Sequence, residues 1–207
     1  MMDELFFRKC WGWQNICLSI DYFHQYPERS WRLMKEIFYD FFGKPKPNAA
    51  HYALEEMEKI GLLHSIITQN IDNLHQHAGS KEVYEFHGNS RYLVYERCFR
   101  SFLAVEIDLS SLPPRCPYCK TVLKPDFVFF GEPIPETAHA QAVQETENAS
   151  VFILIGTSGE IMPASSIPYK AKKNDKKILR LILSHRTIPI QSLAFFLRGK
   201  PPKSFPN

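Results

Sequence analysis

Four stretches of the chain carry a helical period. From Trp31 to Phe42 the apolar residues Trp31, Met34, Phe38, Phe41 and Phe42 recur at helical spacing, and Gly43 with Pro45 closes the pattern. From Ala49 to Ile60, Ala50, Leu54 and Met57 share one face, with Asn48 placed to cap the first turn and Gly61 to stop the last. Pro135–Ala149 and Pro163–Lys173 have the same character. Between them stand short apolar runs, Leu62–Thr68 and Val151–Ile155, and the strand-like Glu82–Phe86. Helices alternating with wholly apolar strands predict an α/β fold with a parallel sheet. Ligands of such sheets bind beyond the carboxyl ends of the strands. Thr68-Gln69-Asn70 and Gly156-Thr157-Ser158 thereby become candidate sites. From Arg91 to Val128 the rhythm breaks, with Pro113-Pro114 and three cysteines, and this stretch reads as a small inserted module.

Composition narrows the class. With 207 residues, 44% hydrophobic and 23% charged, the chain can bury one ordinary core with a small appended module, which excludes a disordered, collagen-like or disulfide-scaffold protein. The net charge of +3 is too small to imply nucleic acid as a partner. Its distribution is uneven: from Lys170 onward there are ten Lys/Arg and one acid, Asp175, so a mildly acidic body carries a basic tail. No targeting or membrane-spanning pattern is visible, and the expected compartment is the cytoplasm. Cys116 and Cys119, with Cys98 upstream, there suggest a metal rather than a disulfide.

Thr68-Gln69-Asn70-Ile71-Asp72-Asn73-Leu74-His75 follows a strand and is dense in amides, a carboxylate and a histidine. Two readings stand: a polar ligand site, or a turn in which Asn70 or Asp72 caps the next helix. His87 ends the Glu82–Phe86 run and precedes Gly88, and an imidazole there suits a general base near neutral pH or a hydrogen-bonded structural role.

Thr68-Gln69-Asn70-Ile71-Asp72 with Leu74-His75 and Ala78-Gly79, then Phe86-His87-Gly88, resembles the sirtuin family of NAD-dependent protein deacylases. So do Lys124-Pro125-Asp126-Phe127-Val128-Phe129-Phe130-Gly131-Glu132 and Gly156-Thr157-Ser158, in the family's order. The resemblance implies a Rossmann-like domain over 1–90 and 129–207, lacking its first glycine-rich unit, and an inserted zinc-ribbon-like module over 91–128. It implies acyl transfer from a protein lysine to ADP-ribose, with release of nicotinamide. His87 would take a proton from the ribose hydroxyls. Gln69, Asn70 and Asp72 would hold the nicotinamide, its ribose and an ordered water, and Gly156, Thr157 and Ser158 would make further cofactor contacts. Val128 and Gly131-Glu132 would pair with the backbone of an acylated substrate protein, and Phe129 and Phe130 would wall the acyl-lysine tunnel. Cys98, Cys116 and Cys119 would be zinc ligands. The family's fourth cysteine falls on Tyr95, so water or a displaced group such as Cys10 completes the site, or the metal is held weakly.

Two departures qualify the resemblance. No Gly-Ala-Gly-x-Ser segment occurs, so the central strand and main diphosphate cradle are expected to be missing and NAD binding to be weak. Near the other end, Leu179-Arg180-Leu181-Ile182-Leu183 replaces the family's Asn-containing strand, as expected if the reading frame slips near Lys177 and returns before Phe195. Besides a deacylase, a catalytically dead acyl-peptide-binding module and a zinc-ribbon protein whose basic tail contacts nucleic acid remain as alternatives, the last disfavoured by the low net charge.

Overall fold

A computed structural model describes residues 17–41, 43–95, 100–157, 162–181 and the backbone of 193–197. In chain order the elements are α1 (Ile20–Gln25), α2 (Pro27–Met34), α3 (Ala49–Lys59), β1 (Leu63–Thr68), α4 (Leu74–Ala78), β2 (Val83–Glu85), β3 (Gly88–Tyr95), β4 (Arg100–Leu103), β5 (Lys124–Phe127), α5 (Glu136–Asn148), β6 (Val151–Ile155), α6 (Ser166–Lys173), β7 (Lys177–Leu181) and β8 (Leu193–Leu197). The chain packs as two compact units, one of residues 1–45 with 89–133 and one of 46–88 with 134–207.

The second unit is the α/β sheet. Its order is β2-β1-β8-β6-β7, with β1 parallel to β2 and β6 parallel to β7. One apolar cluster joins Ile67, Phe86 and Phe152 to Ala142 of α5 and to Ile167 and Ala171 of α6. Another joins Ile66 and Ile153 to Leu54 of α3. β6 reads as an unbroken apolar run, while β1 places Leu63, Ile66 and Ile67 in these clusters around the polar His64 and Ser65. Asn48 caps α3 as expected, its Oδ1 accepting from the amides of Ala50 and His51 at 3.0 and 3.3 Å while the His51 ring accepts from Asn48 N.

The sheet corrects the parallel expectation at its centre. β8 lies between β1 and β6 and runs antiparallel to both, Leu193 pairing with Thr68 and Ile155, and Leu197 with Leu63 and Val151. Connectivity explains the direction: β7 ends at Leu181 on the same edge where β8 begins, and the eleven intervening residues are fewer than a parallel crossover needs.

The first unit holds α1, α2 and a three-stranded sheet of order β4-β3-β5. Ser19 Oγ caps α1 by accepting from Tyr22 N at 3.2 Å. Pro27 opens α2, where its missing N–H costs nothing. The helix expected over Trp31–Phe42 starts earlier and changes at Lys35–Tyr39 into a π-helical turn. Its aromatic stripe is core: Trp31 and Met34 are fully buried, Trp31 Nε1 donates to Leu123 O at 2.8 Å, and Phe38 meets Phe127 edge-on at 5.3 Å.

Candidate active site

At the end of β1 the chain turns sharply. Thr68 is buried, its Oγ1 accepting from Asn70 N at 3.1 Å and its carbonyl from Phe86 N at 2.9 Å. Gln69 is half-buried and Asn70 buried, and the Asn70 side-chain oxygen lies out of solvent with no hydrogen-bond partner. Asp72 Oδ1 accepts from Leu74 N at 3.0 Å, an Asx turn across Asn73, the residue at the N-cap of α4. Asn73 is left-handed, φ 63°, which amide side chains tolerate better than most. Gly79 closes α4 at φ 111°, where a Cβ would also come within 3.0 Å of Glu55 Oε1.

His87 follows β2 and is half-buried beside Phe86. Burial lowers its pKa from the usual value, and a hydrogen bond to the Gln69 backbone opposes that shift. An imidazole donating through one nitrogen to a carbonyl keeps the other free to accept a proton. His87 and the Gln69–Asp72 turn therefore belong to one constellation at the carboxyl ends of β1 and β2. Gly156, at φ 67°, ends β6 at the same edge of the sheet, followed by the half-buried Thr157, whose carbonyl accepts from Arg180 Nη2 at 3.4 Å. A depression of about 270 Å³ beside it is lined by Thr157, Ser165, Tyr169, Lys172 and Arg180 among others. Ser158 lies outside the described residues.

Sequence reasoning missed a histidine pair. The rings of His51 and His75 stand 4.7 Å apart, both buried, beneath the Asp72 turn. Burial, and then His51, push the His75 pKa down to about 4, while burial lowers that of His51 against the pull of Asp72. The capping spacing Asn48 to His51 was legible, but a contact across 24 positions was not. Because the folded pKa of His75 lies below that of the unfolded chain, stability is complete above about pH 6.5 and falls as the pH drops toward 4. The loss expected from His75 is at most about 3 kcal/mol. Melting temperatures recorded between pH 8 and 4 check this, and the slope should flatten in His75→Asn.

In the first unit, Val128 is half-buried, Phe129 is core, and Phe130 is 43% exposed. Phe129 packs against Phe23 and Phe127 at 5.3 and 5.2 Å. Phe130 is held by backbone bonds to Leu18 and Ile20, both 3.0 Å, and Glu132 Oε2 accepts from Phe129 N at 2.7 Å. Of the two rings, Phe130 is the one that faces outward.

Cys116 and Cys119 bracket a tight turn: Lys120 N donates to Cys116 O at 2.9 Å and Cys116 N to Thr121 O at 2.8 Å, with Lys120 left-handed. A pair of cysteine side chains on such a turn fits one half of a tetrahedral thiolate site. Tyr95, paired with Arg100, ends β3. Cys98 and Cys10 lie outside the described residues, and among the described residues no cluster of three or more His, Cys, Asp or Glu could hold a metal.

The sequence model of the Sir2 family matches residues 12–163. The chain belongs to the Sir2 family. It is 42% identical over 191 residues to NAD-dependent protein deacetylase 1 of Pyrobaculum aerophilum, covering 91% of this chain and 74% of that protein. It is 40% identical over 184 residues to the NAD-dependent protein deacylase of Pyrococcus furiosus, covering 86% and 70%. Among solved structures, Sir2Tm bound to a propionylated peptide superposes with TM-score 0.77 at 36% identity, covering 83% of this chain and 73% of that one. Sir2 bound to acetylated peptide gives 0.76 at 36%, covering 79% and 70%. This Sir2 chain thus has the Rossmann-like α/β fold of its family. Among the described residues no helix is long and apolar enough to cross a membrane.

Proposed function

We propose that the chain is an NAD-dependent protein-lysine deacylase that transfers the acyl group of a modified lysine to ADP-ribose and releases nicotinamide. The observation that carries this is the buried, unpartnered side-chain oxygen of Asn70, next to the residue whose backbone holds His87. A buried acceptor without a donor costs free energy unless a ligand supplies one, and a carboxamide N–H or a ribose hydroxyl does so. The names of the relatives, and the NAD and acylated peptides in solved Sir2 structures, support the same reading.

Each residue then has a task. Gln69 and Asn70 orient the nicotinamide and its ribose, and Asp72 keeps one oxygen for ligand or water after closing its Asx turn. His87 takes a proton from a ribose hydroxyl, so that this oxygen can attack the acyl carbon. Gly156, Thr157 and Ser158 hold more of the cofactor. Val128, Gly131 and Glu132 offer backbone to the acylated peptide, and Phe129 and Phe130 supply its apolar wall. Cys98, Cys116 and Cys119 hold a structural zinc that fixes the β3–β4 and 116–119 turns, in a reducing compartment, the cytoplasm.

One observation favours a second reading, an acyl-peptide-binding module without turnover. β8 enters the sheet at Leu193, between Thr68 and Ile155, on the edge that carries both cofactor turns. Nicotinamide release from NAD and an acetyl-lysine peptide separates the two. The 207-residue chain, whose sequence holds no glycine-rich amide cradle, is expected to turn over slowly and only at millimolar NAD. Peptide binding with no nicotinamide at any NAD concentration would establish the module instead.

A further inference from the structure

Lys124 is a lysine in an unusual place. It opens β5 and is 8% exposed. Lysine is almost never buried without a partner, so its three donors call for an accounting. They meet Phe127 O at 2.9 Å, Glu132 Oε2 at 3.0 Å and Pro125 O at 3.1 Å, and the ammonium also stands 4.5 Å from the centre of the Phe129 ring. Every donor is used, and each partner belongs to one nine-residue stretch, Lys124–Glu132.

The same Glu132 oxygen that faces Lys124 accepts from Phe129 N at 2.7 Å, and Glu132 N donates back to Phe129 O at 3.0 Å. Lysine and carboxylate thus close a loop whose far end turns through Gly131 at φ 93°. Burial pushes the Asp126 carboxyl up, and the charges of Lys124 and Arg91 pull it back, so Lys124 answers to two acids in this stretch. A strand needs no such device, because backbone pairing alone would hold it.

We propose that Lys124 is a positioning residue for acylated-peptide binding: through Glu132 it fixes the Phe129–Phe130 backbone between Val128 and Gly131. This rests on the assignment of residues 128–132 to the substrate. The lysine is not expected to touch the peptide. Its effect passes through the half-buried Glu132 carboxylate, which without a cation is an uncompensated charge that leaves the loop for water.

A double-mutant cycle on the full chain tests this, with two readouts. The first is affinity for a fluorescent acetyl-lysine peptide without NAD. Lys124→Met is expected to weaken it about tenfold, whereas in the Glu132→Gln background, where the amide oxygen still accepts from Phe129 N and carries no charge, the same change should cost threefold or less. The second is hydrogen exchange at the Phe129 amide in the unliganded protein, expected to speed up at least tenfold in Lys124→Met and to recover in the double variant. Unchanged exchange and affinity in a folded Lys124→Met, or equal losses in both backgrounds, would overturn the proposal. Should the unaltered chain fail to bind the peptide, the substrate assignment falls, while the exchange measurement still decides whether Lys124 holds the loop. If Lys124→Met does not fold, Lys124→Arg keeps the charge but loses the three-acceptor geometry. Faster exchange at Phe129 is then expected, and unchanged exchange overturns the clasp.

Discussion

His87→Ala is expected to reduce acyl transfer to ADP-ribose by 10²–10⁴-fold, the span associated with losing a positioned general base, or roughly 3–5 kcal/mol of barrier. Peptide affinity should be unaltered, because the imidazole is assigned a proton transfer and no peptide contact. The pH profile carries more information than the rate alone. Burial holds the His87 pKa below the ordinary histidine value, so the neutral imidazole needed to accept a proton persists into mildly acidic solution. Activity is therefore expected to be level through neutrality and to fall as the pH drops through that lowered value. His87→Ala should remove this acidic limb together with the rate. A variant that keeps more than a tenth of the activity, with the limb intact, would show that another group does the proton transfer.

The backbone bond from His87 to Gln69 is the kind of relation a sequence hides. Each residue was recognisable in its own short motif, because β1 and β6 run from apolar into polar residues and the sheet rule directs attention to their ends. Their mutual placement depends on β2 pairing parallel to β1, which brings Glu85 opposite Thr68 and so leads His87 to the turn. Local grammar was equally readable at Asn48 and Gly61, where cap and stop residues act within a few positions. Long-range facts were not. Lys124 sits in a motif whose spacing says nothing of a buried ammonium with three acceptors, and His51 and His75 meet only after α3 and α4 pack.

β7 and β8 were the least legible. β7 is an edge strand with Leu179 and Leu181 about half exposed, an apolar pattern that fits no buried face. Periodicity reads burial, and where burial and sequence disagree it has nothing to read. β8 offered a five-residue run, Leu193–Leu197, with no sign of direction. Its antiparallel course follows from the edge on which β7 ends, a property of topology rather than of its own residues.

If Cys98, Cys116 and Cys119 hold a metal as proposed, Tyr95→Cys is expected to strengthen zinc binding by supplying a fourth thiolate. Complete four-ligand structural sites bind with about 10–16 kcal/mol, so one restored thiolate is worth roughly 3 kcal/mol, on the order of a hundredfold in affinity. The gain has a geometric basis. Tyr95 ends β3 opposite Arg100, and Cys116 and Cys119 flank a turn closed by the Arg115–Val122 bridge. A phenol is a poorer zinc ligand than a thiolate, so the present sequence supplies at most three cysteine ligands from these two turns. Zinc content after dialysis against a competing chelator measures the difference, with Tyr95→Phe as the neutral control and Cys116→Ser as the variant that removes a thiolate. Tyr95→Cys should also melt higher with zinc than with chelator, by several degrees for a domain of this size, whereas Tyr95→Phe should show almost no such gap. If Tyr95→Cys and Cys116→Ser bind zinc no differently from the unaltered chain, the two turns do not share a metal. The 91–128 stretch would then depend on Trp31, Leu93 and Leu123, all fully buried, for its stability.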